Sequence, residues 1–182
     1  LVNWLHYSWP SLLKTKGFLK YMRTPIIKAS KGKESLDFYN TTDYDSWKET
    51  NSSVNKWKIK YYKGLGTSTS SEAKEYFKKF NKHIVDFGWE NNDVENDSIE
   101  LAFSKPRAND RKKWLEEFKS ENIIDNKAKV VNYSNFINNE LILFSMSDVM
   151  RSIPSIVDGL KPSQRKTIYC ALKKPLTKEM KV

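Results

Sequence analysis

Two short stretches hold most of the residues whose type and spacing could do chemistry. The first is Lys60-Tyr61-Tyr62-Lys63-Gly64-Leu65-Gly66-Thr67-Ser68. A strand that enters a glycine-punctuated turn, followed by a capped helix, aims backbone N–H groups at one point. With Lys63 beside them, those groups would form an anion site. The spacing is not a Walker A loop, because no Gly-Lys-Ser/Thr closes it. A tight turn whose glycines only supply positive φ is the alternative. The second stretch runs from Ser145-Met146-Ser147-Asp148 through Arg151 and Asp158-Gly159-Leu160-Lys161-Pro162 to Lys166. Asp158-Gly159 signals a turn, Lys161 stands just before a helix, and Gln164, Arg165 and Lys166 fall on that helix's first turns. Cations there oppose the helix macrodipole, which prefers anions. Bound phosphates would supply those anions; a solvated helix face is the alternative.

Other chemistry is poorly supplied. A single cysteine, Cys170, excludes an internal disulfide framework and a cysteine-based zinc site. His6 and His83 are isolated and read as core or surface histidines. The acidic run Asp86, Glu90, Asp93, Glu95, Asp97 and Glu100 spreads along what reads as loop and strand, a solvated or polyanion-repelling edge. Trp4, Trp9, Trp57 and Trp114 read as core packing.

The charge is one-sided. Lys plus Arg number 32 against 22 acids, a net charge of +10, which favours polyanionic partners. Residues 146–182 carry eight Lys/Arg and three acids, whereas 84–104 carry six acids and no Lys or Arg. No apolar run approaches the roughly 20 residues of a membrane-spanning helix. With 13% aromatics the chain does not read as a disordered tail. Leu1-Val2-Asn3-Trp4 lacks an initiator Met and a signal-peptide pattern, so the chain reads as a piece of something longer.

The elements that must position these residues follow from periodicity and punctuation. Leu1, Trp4, Leu5, Ser8, Trp9 and Leu12 predict a buried helix stripe. Residues 25–30 and 35–39 predict a hairpin around Lys31-Gly32-Lys33, and 57–62 a half-buried strand. A short helix is expected over Asp43–Glu49, started by Thr42 or Asp43. Thr69-Ser70-Ser71-Glu72 reads as a capping box that opens a helix to about Lys82. A strand is expected at 98–104, and a helix capped by Asn109 or Asp110 carries Arg111, Lys112 and Lys113. Residues 120–132 read as a loose polar connection. Ser134 is expected to cap a helix to about Phe144, and Pro162 to open one to about Lys174.

At these residues the chain closely resembles the central part of eukaryotic-type DNA topoisomerase II. Lys60 to Ser70 and Glu72-Ala73-Lys74-Glu75-Tyr76-Phe77 resemble its Toprim segment. Glu140 to Ser145, Arg151-Ser152-Ile153-Pro154-Ser155 and Val157-Asp158-Gly159-Leu160-Lys161-Pro162 resemble the entry to its winged-helix domain. Asn3, His6 and Trp9-Pro10-Ser11-Leu12-Leu13 also match. The likeness is weakest at 88–97 and 119–132. The Gly-Leu-Lys-Pro turn is shared with the bacterial enzymes, but a continuous chain across both domains resembles the eukaryotic or viral arrangement.

The resemblance implies a mixed α/β fold: residues 1–104 the C-terminal part of Toprim, 105–145 a basic helical connector, 146–182 the start of a winged-helix DNA-binding domain. It implies an ATP-dependent enzyme that passes one duplex through a transient break in another, by phosphotyrosine chemistry assisted by magnesium. The family's metal-binding acids and catalytic tyrosine match nothing in this chain; Tyr61, Tyr62 and Tyr169 do not correspond to the latter. The chain alone is thus expected to cleave no DNA and to bind neither magnesium nor ATP. Its expected partner is double-stranded DNA held through the backbone, in a homodimeric parent with no membrane association. That parent is expected in the nucleus, or in the host-cell nucleus or cytoplasm if viral. DNA contacts are expected from Lys161, Arg111 and Lys112, then from Lys63, Arg151, Arg165 and Lys166. A noncatalytic nucleic-acid-binding scaffold related to that family is the alternative.

Overall fold

A computed structural model describes residues 1–32, 34–62, 68–118, 124–125 and 128–174. In chain order these form α1 (Val2–Ser8), α2 (Pro10–Lys14), β1 (Lys20–Met22), β2 (Ile27–Lys31), β3 (Glu34–Phe38), α3 (Thr41–Thr50) and β4 (Lys58–Tyr61). There follow α4 (Ser70–Lys78), α5 (Phe80–His83), β5 (Ile84–Gly88), α6 (Asn92–Phe103), α7 (Ala108–Glu116), β6 (Val130–Asn132) and α8 (Tyr133–Phe136). A π-turn over Ile137–Leu141 joins α8 to α9 (Ile142–Ser152), and α10 (Pro162–Lys173) closes the described chain. The fold is mixed α/β.

Two three-stranded sheets divide the strands. One has the order β3-β2-β4, antiparallel throughout, with Ala29 opposite Leu36 and Ile59. The expected hairpin is there, and Gly32 at φ 60° makes its turn. Ile27, Ala29 and Phe38 point to one side, where they bury against Tyr44 of α3. Asn40 starts that helix by accepting from the Asp43 N–H, two residues ahead of the first expected cap, Thr42. The opposite side is ionic: Lys28 pairs with Glu75 and Lys60 with Glu72, both on α4.

The second sheet has the order β1-β5-β6, β1 antiparallel and β6 parallel to the central β5. Phe87 of β5 stacks on Tyr133 with ring centroids 4.6 Å apart. Around that stack pack Leu5 of α1, Leu13 of α2, Ile99 of α6 and Ile137 of the π-turn. This core crosses residue 104, so α6 and the stretch after it share one interior.

Four local expectations are corrected. Trp9 separates α1 from α2, and Leu1, Trp4 and Trp9 are exposed; of the stripe only Leu5 is buried, and it is Leu13, outside the stripe, that joins it in the core. Pro10 is the reason: its ring removes an N–H donor and starts a new helix at N1. Trp57 and Trp114 are half-buried, as expected of packing residues. Residues 98–104 are not a strand but the end of α6. Asn91 caps that helix by accepting from the Asp93 N–H, and Asp93 and Glu95 complement the positive end of its dipole. Residues 130–132, taken for loose connection, pair with β5 as β6. The helix expected to reach Lys82 breaks at Lys79, dividing α4 from α5.

The π-turn also has a local cause. Ile137 and Ile142 are five residues apart and both buried. The i→i+5 turn brings both to the core, which a regular helix would not do. Within it, Glu140 accepts from the Tyr21 hydroxyl. Burial pushes the Glu140 carboxyl up, partly offset by Arg23 and Tyr21.

Candidate nucleic-acid interface

The loop between α9 and α10 is built around one residue, Leu160. Ser155 N–H donates to the Leu160 carbonyl at 3.0 Å, and Gly159 N–H to the Ser155 carbonyl at 2.8 Å. Asp158 accepts from the Leu160 N–H at 3.0 Å. Gly159 sits at φ 68°, a conformation that side-chain-bearing residues rarely adopt. Lys161 follows in extended backbone, φ −77° and ψ 155°, and Pro162 begins α10. The Lys161 N–H, exposed at the helix start, donates to Oε1 of Gln164 at 2.9 Å. A Gln at N3 that reaches back to the N-cap is half of a capping box.

Arg165 turns back onto this loop. Its Nε lies 2.6 Å from Asp158 Oδ2, and its Nη2 lies 2.7 Å from Oδ1 and 3.2 Å from the Leu160 carbonyl. The guanidinium holds the Asp158 carboxyl down to about 2, helped by the Leu160 N–H. One of the first-turn cations of α10 therefore has its anion within the protein. Lys166 sits exposed one position further on. On α9, Arg151 donates to Asp148 at 2.9 Å and lies over the Phe144 ring. That pairing, with the Ser152 hydroxyl, holds Asp148 below its ordinary range.

The second cation group lies on α7, which packs against α6 and α9. The helix starts at Ala108, so Asn109 and Asp110 lie in its first turn rather than at its cap. Arg107 bridges Asp97 of α6 and Asp110 of α7. Arg111 is half-buried and its Nη1 donates to the carbonyls of Leu101 and Ser104, so it caps the C-terminus of α6. Lys112 is exposed, with Nζ 3.4 Å from Asn109 Oδ1.

Lys63 and the glycine turn 63–67 lie outside the described residues. The helix that follows is described, and its start is occupied from within. Glu72 accepts from the Thr69 N–H at 2.7 Å, from the Tyr62 hydroxyl at 2.6 Å and from Lys60 Nζ at 2.8 and 3.0 Å. The capping box read from Thr69 to Glu72 is complete. Burial works against the charged Glu72, but Lys60, Tyr62 and Thr69 outweigh it and bring its carboxyl to about 2. Tyr62, buried and facing that carboxylate, is pushed up.

The acidic run is not one solvated edge. Glu95 is buried and accepts from the N–H and hydroxyl of Ser134. His6 bonds to Asn96, and His83 is buried with Nδ1 on the Arg23 carbonyl; burial lowers its pKa. Sequence reasoning missed Asp158 as the partner of Arg165; the Asp-Gly turn was its only local signal.

A family model described as the C-terminal associated domain of TOPRIM matches residues 22–149. The chain belongs to that family. This Toprim-associated domain is 51% identical over 185 residues to DNA topoisomerase 2 of Arabidopsis thaliana and 49% identical over 182 residues to that of Plasmodium falciparum. All of the chain is covered in both comparisons, but only 12% and 13% of those proteins' lengths. It also superposes on the crystal structure of the Plasmodium falciparum topoisomerase II DNA-binding, cleavage and re-ligation domain. The TM-score is 0.79 at 48% identity, over 100% of this chain and 24% of that one.

Proposed function

We propose that the chain is part of a type II DNA topoisomerase and that it grips the cleaved duplex through its phosphates. The observation that carries this reading is the full-chain likeness, at 48% identity, to a structure described as a DNA-binding, cleavage and re-ligation domain. The intact enzyme would pass one duplex through a break in another, work as a nuclear homodimer, and use magnesium and ATP. In such a reaction the tyrosine and metal perform the cleavage, while the rest of the surface holds the duplex in register. Backbone contacts suit that task because they carry no base information. Among the described residues no three His, Cys, Asp or Glu side chains gather as a metal site.

In this reading Lys161 and Lys112 are the leading phosphate contacts, with Lys63, Lys166 and Arg151 in support. Arg111 contributes through what Nη1 leaves available after capping α6. Fixed backbone favours Lys161 and Lys112: one is held by Gln164 and Pro162, the other rides a helix locked to α6 by Arg107. A preorganised side chain loses less freedom on binding. The test is an equilibrium titration of the intact protein, wild type and Lys161→Ala and Lys112→Ala, on two unrelated duplexes at several salt concentrations. Each lost contact should reduce the slope of log K against log salt by roughly 0.9, equally for both sequences. Unchanged slopes would mean that these lysines are merely solvated, and a loss on one sequence only would mean base readout.

A further inference from the structure

We infer that Arg165 and Asp158 are positioning residues that hold Lys161 against the DNA backbone, and that Arg165 is not itself a phosphate contact. The inference rests on the phosphate-binding reading of Lys161 given above.

Three observations lead there. The planar guanidinium of Arg165 engages both oxygens of Asp158 along its Nε–Nη2 edge, and Nη2 also reaches the Leu160 carbonyl. Such a two-point fork is the strong, directional form of an ion pair. The edge best suited to a phosphate is therefore already on a carboxylate. Next, the fork's targets converge on the residue before Lys161. Asp158 accepts from the Leu160 N–H, while the Leu160 carbonyl takes both Arg165 Nη2 and the Ser155 N–H. On the other side, the Lys161 N–H is fixed by Gln164. The backbone that carries the Lys161 side chain is thus pinned before and after. Finally, the Asp158–Arg165 pair is electrically neutral. It adds no net attraction for a polyanion, so its effect on DNA has to come through geometry.

This makes a prediction opposite in sign to simple electrostatics. Asp158→Asn removes a negative charge from a basic surface, which by itself would tighten DNA binding. Positioning requires the reverse: binding of the intact protein to a fluorescent blunt duplex should weaken roughly five- to tenfold, as expected for residues coupled in one network. Arg165→Lys keeps the charge but cannot form the fork, and should weaken binding by a similar factor. In a Lys161→Ala background both effects should vanish, because there is no longer a contact to position. Asp158 lies on an exposed loop and Arg165 on the exposed first turn of α10, so the melting temperature should stay near wild type and separates this loss from misfolding.

Tighter or unchanged binding by Asp158→Asn would overturn the inference. So would an Arg165→Ala loss that adds in full to Lys161→Ala with a second fall of roughly 0.9 in the salt slope, since that marks a direct contact. If Lys161→Ala alone changes neither affinity nor slope, the phosphate reading of Lys161 fails, and the inference falls with it. The two failures are therefore distinguishable.

Discussion

The buried carboxylate of Glu95, on α6, closes the first turn of α8 by accepting from both the N–H and the hydroxyl of Ser134, thirty-nine residues away. The first N–H groups of a helix have no partner within it, and a carboxylate there also meets the positive end of the dipole. Removing it by Glu95→Ala leaves buried donors unmatched and should cost about 1–3 kcal/mol in a urea titration. The pH dependence has a definite sign. Burial raises the Glu95 carboxyl above its ordinary value, partly offset by Ser134. A raised folded-state pKa contributes stability below the unfolded value near 4.5 that is lost as pH rises through the folded one. Glu95→Gln, which cannot ionise, should therefore gain on wild type as pH rises through that window.

Glu72 should behave in the opposite way. Its carboxyl is brought to about 2 in the fold. Its contribution is present above the unfolded value near 4.5 and is lost as pH falls through about 2. At neutral pH that amounts to about 1–3 kcal/mol, solvent screening of the Lys60 pair keeping it below the full linkage value. Acid titration of stability in Glu72→Gln should show a correspondingly shallower fall between those limits.

Arg111 and Lys112 are neighbours in sequence with different expected phenotypes. Arg111→Ala frees the Leu101 and Ser104 carbonyls and should lower stability by about 1–2 kcal/mol. Lys112→Ala should leave the melting curve in place and lower only DNA affinity. A melting-temperature loss in Lys112→Ala would show that it, too, holds the fold.

Ile99 and Trp4 test the corrected core. Ile99 is 0% exposed, and Ile99→Ala should cost about 2–5 kcal/mol. Trp4 is 56% exposed and touches Trp9 edge-on, so Trp4→Ala should cost about 1 kcal/mol or less. Equal losses would restore the buried-stripe reading of residues 1–14.

What was legible in the sequence was local. The hairpin around Gly32, the capping box from Thr69 to Glu72 and the Pro162 helix start are each written within a few residues, and each is present. The failures come from pairing at a distance. β1 and β6 are three residues long and exist because β5 lies between them; neither segment carries a pattern of its own. In α6, Ile99, Leu101 and Phe103 alternate with Glu100 and Ala102, which imitates a strand. The true helix start, at Asn91, lies eight residues upstream of Ile99. At the candidate interface, Lys161 and the helix behind it were readable. The Asp158–Arg165 fork was not, because it depends on how the Gly159 turn folds the chain back.

The π-turn at Ile137–Leu141 works as a phase adjuster. In a regular helix one residue more would turn everything downstream by about 100° about the axis, at 3.6 residues per turn, and advance it by about 1.5 Å; the wide turn takes up that residue, so that Ile142 faces the core with Ile137. The azimuth at which α9 leaves the core, and with it the side on which Arg151 stands, is therefore kept by that widened turn. Deleting Asn139 would let the segment relax to ordinary helix with Ile137 and Ile142 at i and i+4 and α9 still facing the same way, whereas straightening the turn with Asn139 kept would rotate α9. Arg151 would then still be there, facing elsewhere.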